Sequence, residues 1–167
     1  MAEEKQPQYD LDGYDVVTDA ILELINQYPR IEEGKKIKFS ILGENGGQAM
    51  FAVSGAVVES EKEDVTGHVT QNCLYPFYVI YRASGLSESR KTAIKEWLDD
   101  LGKWLERQPI IVNNTEYQVN EYPMLTGSRK FLSISRQSPG YLDRTNEDKS
   151  EDWAIHISAK YKNEYDK

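Results

Sequence analysis

Few side chains of this sequence have a type and spacing that could carry out chemistry. Cys73 is its only cysteine, and its two histidines are His68 and His156. The histidines lie far apart in sequence and lack the spacing of a metal site. A thiol–imidazole pair would join Cys73 to His68, but such a pair needs a third group that orients it and a pocket around it. A lone thiol in an apolar stretch is more often a buried small hydrophobe, and we expect that role for Cys73.

Other catalytic signals are equally weak. The glycine-rich residues 43–47 match neither the phosphate-binding loop nor the dinucleotide-binding pattern. Acidic residues are so abundant, at 28, that their presence does not identify the carboxylate pair of a glycosidase. We therefore expect a protein without enzymatic activity, cofactor or bound metal. An enzyme that uses an unrecognised carboxylate pair is an alternative.

The charge balance argues against a phosphate-gripping surface. Against the 28 acidic residues stand 20 basic ones, which gives a formal charge of −8. An acidic surface keeps a protein soluble and repels DNA. No uncharged apolar run approaches the roughly 20 residues needed to span a membrane, and the first residues lack a signal-peptide pattern. We expect a cytoplasmic protein with no membrane partner.

Two helices are predicted from apolar residues at three- and four-residue spacing. The first covers residues 15–28, with Asp12 or Asp15 as its cap and Pro29 at its end. The second covers residues 88–107, with Ser87 as its cap. Its apolar stripe is predicted to lie in the core and consists of Ile94, Trp97, Leu98, Leu101, Trp104 and Leu105.

Strands are predicted where apolar residues alternate with polar ones or where aromatic and β-branched residues are dense, as at residues 73–82. Such segments are residues 37–41, 48–58, 73–82 and 132–135. The last strand is the clearest, with Trp153, Ile155 and Ile157 predicted to face the core, followed by Ala159 and Tyr161. The order of helix, strands, helix, strands predicts an α+β fold, a mainly antiparallel sheet with two helices packed on one face. Residues 1–14 are predicted to be a flexible segment and residues 15–167 a single domain.

The polar stretch at residues 59–70 has two interpretations. It could be a solvated hairpin loop, as most such connections are, or an arm that reaches a partner. If it is an arm, it supplies the candidate contact residues of a subunit or partner interface. These are Glu59, Glu61, Lys62, Glu63, Asp64, Val65 and His68.

Several stretches resemble the minor capsid, or tail-terminator, family of long-tailed bacteriophages. YPFYVIYRA at residues 75–83 is similar to the central strand of that family, and KTAIKEWLDDLGKWLE at residues 91–106 to its long helix. RQSPGYL at residues 136–142 and EDWAI at residues 151–155 are similar to its C-terminal half. The likeness extends from about residue 15 to the end, and it rests on the shared order of these motifs.

This resemblance implies a structural protein of the virion tail, assembled in the cytoplasm of a bacterial host. It implies a homo-oligomeric ring, typically a hexamer, that caps the head-proximal end of the tail tube. The ring stops polymerisation of the tail tube protein and presents a surface to the head–tail connector. DNA would be only passing cargo in an acidic lumen.

Three other roles are alternatives. The chain could be a head-completion or neck protein, or the terminator of a headless, tail-like bacteriocin. It could also be a cytoplasmic adaptor that binds peptides by adding them to its sheet, which would require a long unprotected edge strand.

Overall fold

A computed structural model describes residues 6–32, 35–44 and 46–167. The fold is α+β, as predicted, with two helices and a mixed sheet that is mostly antiparallel. The helices are α1 (Gly13–Ile25) and α2 (Glu88–Leu105). The strands are β1 (Lys38–Phe39), β2 (Gly47–Ala52), β3 (Val57–Glu63), β4 (His68–Ala83), β5 (Ile110–Val112), β6 (Thr115–Tyr117), β7 (Arg129–Arg136), β8 (Tyr141–Thr145) and β9 (Glu151–Asp166).

The long strands β4 and β9 form the centre of the main sheet. They pair antiparallel over sixteen residues, from His68 opposite Asp166 to Ala83 opposite Glu151. On the outer side of β4 lie β2 and β3, and on the outer side of β9 lie β7 and β8. The short β1 adds to β2 in parallel, and β5 pairs with β6 in a separate hairpin. Strands β3 and β7 therefore lie on opposite edges of the sheet.

The core is built on the odd-numbered residues of β4 and β9, because successive side chains of a strand point to opposite faces. Opposed pairs such as Phe77–Ile157 and Val79–Ile155 are completely or almost completely buried. Trp153 is partly buried against the same cluster. The stripe of α2 is buried as its periodicity predicted, at Ile94, Trp97, Leu98, Leu101, Trp104 and Leu105.

Polar and aromatic contacts tie both helices to β4. In α1, the Thr18 hydroxyl lies 2.7 Å from the Tyr75 hydroxyl. In α2, the Trp97 ring meets the Tyr81 ring edge-on at 5.2 Å. The predicted cap of α2 is correct, since the Ser87 hydroxyl accepts a hydrogen bond from the amide of Arg90.

The start of α1 differs from the prediction. The helix begins at Gly13, and the Gly13 amide donates to the carboxylate of Asp10, whereas Asp12 makes no capping bond. Asp10 is buried, and Tyr9 bridges Val57. Contacts of residues 8–10 therefore join part of the predicted flexible segment 1–14 to the folded domain. Residues 1–5 of that segment lie outside the described residues.

Three strand predictions were wrong in detail. The predicted strand at residues 48–58 is two strands, β2 and β3, separated by residues 53–56. The segment at residues 59–70 is paired strand over most of its length, with a tight turn. Leu132 is largely exposed because a bulge between Phe131 and Ser133 shifts the alternation, so that Phe131 and Ile134 are buried instead.

Candidate functional site

Strands β3, β4 and β9 extend past the main core and form an arm, defined as residues 59–72 and 162–167. The main core ends at Cys73 and Tyr161, and each long strand continues for five residues beyond them. Sixteen residues of strand span about 50 Å, whereas a compact domain of this length is about 40 Å across. Residues 59–66 are all exposed. The arm therefore offers surface that the subunit itself does not bury.

The tip of the arm is a tight turn held by one side chain. The Asp64 carboxylate accepts hydrogen bonds from the amide of Thr66 at 2.8 Å, from its hydroxyl at 2.6 Å and from the amide of His68 at 3.1 Å. The bonds from Thr66 hold the pKa of Asp64 below its ordinary value. Gly67 takes a φ of 86°, which a glycine adopts without strain. The tip is thus shaped before any partner arrives, and Val65 is fully exposed on it.

Polar side chains tie the three strands of the arm together. The Gln71 amide donates to the Glu61 carboxylate at 2.8 Å, and the Asn163 amide donates to the Gln71 carbonyl at 3.1 Å. Lys167 pairs with Glu63 at 3.1 Å. These bonds add to the burial of Val69, which is completely buried within the arm.

His68 fastens the start of β4 to the end of β9. Its Nδ1 lies 2.7 Å from the carboxylate of Asp166, and its Nε2 lies 3.7 Å from that of Glu164. The hydrogen bond to Asp166 raises the pKa of His68 above the ordinary value of 6.5.

The structure brings all the predicted contact residues together on this arm. Glu59, Glu61, Lys62 and Glu63 lie in β3, Asp64 and Val65 in the turn, and His68 at the start of β4. The outer side of β3 is covered at its beginning, where the Val58 amide donates to Gln8 and the Asp10 amide donates to Ala56. Over residues 59–63, β3 pairs with β4 alone in the described part of the chain.

A groove of about 550 Å³ lies at the opposite edge, beside β7. We call it the β7 groove. Its apolar lining includes Met124, which is 97% exposed, and Leu132, which is 46% exposed. Its charged lining is Arg107, Arg129, Lys130 and Glu121. Sequence reasoning missed this groove, because it is formed by the bulge in β7 and by the irregular residues 121–127.

Of the three basic residues that line the β7 groove, two are hydrogen-bonded to other residues of the subunit, and the third has no ion pair among the described residues. The Arg129 guanidinium donates hydrogen bonds to both carboxylate oxygens of Asp10, at 2.7 and 2.9 Å. Arg107 donates to the carbonyls of Val119 and Asn120. Lys130 is exposed and has no ion pair among the described residues. The groove is therefore an apolar hollow with positive charge at its rim.

Farther along β7, the outer edge is covered by side chains. The Ile134 amide donates to the Tyr122 hydroxyl at 3.3 Å, and the Arg136 amide donates to the Glu106 carboxylate at 3.0 Å. A partner that approaches this edge of the sheet can therefore reach only the first half of β7, which lies next to the β7 groove.

A row of aromatic rings crosses the sheet face that points away from the main core. Phe51 stacks on Tyr78 and Tyr78 on His156, each at 5.3 Å between ring centres. The Tyr141 hydroxyl lies 2.9 Å from Nε2 of His156. All four residues are half-buried. The planes of neighbouring rings are 13° apart for Phe51 and Tyr78 and 29° apart for Tyr78 and His156.

Cys73 and His68 do not form a pair. They lie five residues apart on β4, which is about 16 Å, and point to opposite faces. Cys73 is completely buried, and burial raises the pKa of its thiol to about 11.

A buried carboxylate, Asp10, lies near Cys73. Burial disfavours its charge, but hydrogen bonds from Arg129 and Tyr161 together hold the pKa of Asp10 below its ordinary value. Its partners identify it as one half of a structural ion pair that joins the start of α1 to β7 and β9.

Among the described residues, no three or more histidine, cysteine, aspartate and glutamate side chains gather in a way that could hold a metal ion. None of the described helices is long and apolar enough to cross a membrane. No protein-family model and no curated protein matches this chain.

Proposed function

We propose that this chain is a structural subunit of a long-tailed bacteriophage, of the tail-terminator kind. In this role it forms a ring, typically of six copies, on the head-proximal end of the tail tube. The ring ends polymerisation of the tube protein and joins the tail to the head–tail connector. The observation that carries the proposal is the preformed arm, whose exposed tip and edge lie outside the core of the subunit.

Three further observations support an assembly role. The accessible surface is 10431 Å², whereas a compact monomer of 19.2 kDa exposes about 8,400 Å². An arm in which residues 59–66 are all exposed is one source of such an excess. The two edges of the sheet, β3 and β7, differ in shape and charge, as a head-to-tail contact requires. The motifs that resemble the tail-terminator family fall on β4, α2, β7, β8 and β9, which together build the body.

We also infer that α1 and α2 pack on one face of the sheet, as the order of helices and strands in the sequence predicts. Tyr75, which contacts α1, and Tyr81, which contacts α2, are both odd-numbered residues of β4. The opposite face, with its aromatic row, then remains for contacts in the assembly. The net charge of −8 fits a lumen through which DNA passes without binding.

The decisive experiment is a deletion of the gene in the parent phage. A tube of repeated rings offers the same binding surface after every addition, so its subunits alone do not end growth. Without the terminator we expect DNA-filled heads, separate tails of abnormal length and few joined virions in electron micrographs. Heads that fail to package DNA would favour a head-completion or neck protein, and normal virions would refute a role in assembly.

A second candidate is the peptide-binding adaptor, because residues 59–63 of β3 pair on one side only in the described chain. Three glutamates and one lysine lie on this stretch. Charged side chains on an edge strand disfavour indiscriminate strand addition. The adaptor would require a peptide whose backbone amides become protected on binding to the isolated subunit, which hydrogen exchange would detect.

A further inference from the structure

We infer that the tip of the arm of one copy docks into the β7 groove of the next copy, and that this contact closes the ring. The inference rests on the proposed function, because it names the contact through which that ring would form. Its components are the exposed Val65 with its flanking acids on one edge, and the apolar, positively charged groove on the other.

The positions of the two surfaces fit a head-to-tail contact. In the strand order β3-β4-β9-β7, the arm and the groove lie on opposite edges of one sheet. Two different surfaces on opposite sides of a subunit generate a ring when the rotation between copies closes, and a filament when it does not. The arm tip cannot reach the β7 groove of its own copy, because strands β4 and β9 lie between them.

The shapes of the two surfaces also correspond. Val65 is an apolar side chain held outward on a turn that Asp64 fixes, so docking it orders little additional chain. The groove presents Met124 and Leu132, two large apolar side chains that the subunit leaves exposed. Burying apolar surfaces of this kind against each other is the usual centre of a protein interface.

The charges are complementary around that apolar centre. Glu61, Glu63 and Asp64 lie just before Val65, against the two cations Lys62 and Lys167, the second of which pairs with Glu63. The tip therefore keeps a net negative charge. The groove carries Arg107 and Lys130 against the single acid Glu121, once Asp10 has neutralised Arg129. Such complementarity steers association and fixes which surfaces meet.

Variants of the arm tip and of the β7 groove test the contact. The mass of each purified, full-length protein is measured by sedimentation velocity. The wild type should sediment as a single oligomer that is a multiple of 19.2 kDa. Val65→Asp and Leu132→Asp should each weaken association at least tenfold. Val53→Asp is the matched control, because Val53 is another exposed loop valine, outside both surfaces. Thermal unfolding of each variant, compared with the wild type, shows that the fold is retained.

A charge exchange tests the pairing itself. Glu63→Lys and Lys130→Glu should each weaken the oligomer, and the double variant in one chain should recover at least tenfold of the lost association. Glu147→Lys, an exposed acid in the loop before β9, is the control and should have no effect. A monomeric wild type, an oligomer indifferent to Val65→Asp and Leu132→Asp, or a double variant no better than the singles would each overturn the inference.

Failure of this contact is distinguishable from failure of the proposed function. If wild type and Val65→Asp both cap tail tubes, the terminator role holds and the contact is wrong. If Val65→Asp abolishes the oligomer but the gene deletion leaves tails normal, the contact holds and the terminator role is wrong.

Discussion

Strands β4 and β9 run side by side for sixteen residues, and their two ends are held by different forces. At the body end, alternate residues such as Phe77, Val79 and Ile155 are buried in the main core. At the arm end, two of the corresponding positions carry amides, with Gln71 between Glu61 and Asn163, and another is the buried Val69. The same pair of strands therefore serves as the centre of a core and as the centre of a polar arm.

The difference matters because the two forces contribute different amounts. Burying a large apolar side chain stabilises a fold by roughly 1.5–3 kcal/mol, whereas an exposed ion pair contributes about 0–1 kcal/mol. The body end thus determines whether the subunit folds. The polar bonds of the arm order it but add little to the free energy of folding. Surface residues of the arm can therefore be substituted with little loss of stability.

The largest expected effect is at the body end. Trp104 is 5% exposed, and the centre of its ring lies 5.6 Å from that of Tyr28. Replacing Trp104 with alanine removes this ring from the core. We expect a loss of about 3–5 kcal/mol in the free energy of unfolding, measured in urea. An unfolding curve that coincides with that of the wild type would show that the stripe of α2 is not core.

The next effect concerns the buried ion pair between Asp10 and Arg129. Asp10→Asn leaves the guanidinium without its charge partner and should cost about 3 kcal/mol at neutral pH. Because the pKa of Asp10 is lowered by folding, the carboxylate stabilises the fold above its unfolded value of 3.8, and this contribution is lost as the pH falls below that value. The difference between wild type and variant should therefore shrink in acid. A difference that is constant from neutral pH to acid would contradict this account.

A smaller, local effect is expected at the base of the arm. The raised pKa of His68 means that the protonated ring favours the folded arm. This stabilisation is complete below pH 6.5 and is lost as the pH rises through the higher pKa of the folded state. After correction for intrinsic rates, amides of residues 68–71 should exchange faster at about pH 8 than at about pH 6. His68→Gln should abolish this dependence, and an unchanged dependence would assign it to another group.

The smallest effect on stability is expected at the tip. Val65→Ala changes a side chain that touches solvent, and the free energy of unfolding should change by no more than about 0.5 kcal/mol. Val79→Ala, at a completely buried valine of β4, is the matched comparison and should cost distinctly more. Equal costs at the two positions would mean that Val65 is packed in solution.

The sequence alone was informative where a local pattern decides the structure. The periodicity of α2 predicted its buried stripe, and the Ser87 cap predicted its first residue to within one position. Asn113 and Asn114, a residue pair typical of tight turns, both take a positive φ between β5 and β6.

It was less informative where distant residues decide. The start of α1 depends on Asp10, whose partners Arg129 and Tyr161 lie more than a hundred residues away. The arm was missed as strand because its residues are too polar to alternate with a core. Its pairing is instead stabilised by bonds to β9, at the other end of the chain.

The groove and the aromatic row were missed for a related reason. The groove needs the bulge at Leu132, which no pattern of single residues predicts. The row joins Phe51, Tyr78, His156 and Tyr141 from four different strands, and the outward position of His156 in its strand was its only signal in the sequence.

The most direct test of the account is negative-stain imaging of the purified protein, alone and mixed with tail tubes. In a matched variant, Asn-Gly replaces residues 61–71, which removes the outer part of the arm. The two-residue turn then joins Ser60 to Asn72, which lie opposite each other in β3 and β4. We predict that the wild-type protein forms closed rings at one end of the tubes and that the variant, although folded, does not. Bare tube ends with the wild-type protein, or equal capping by the variant, would contradict the account.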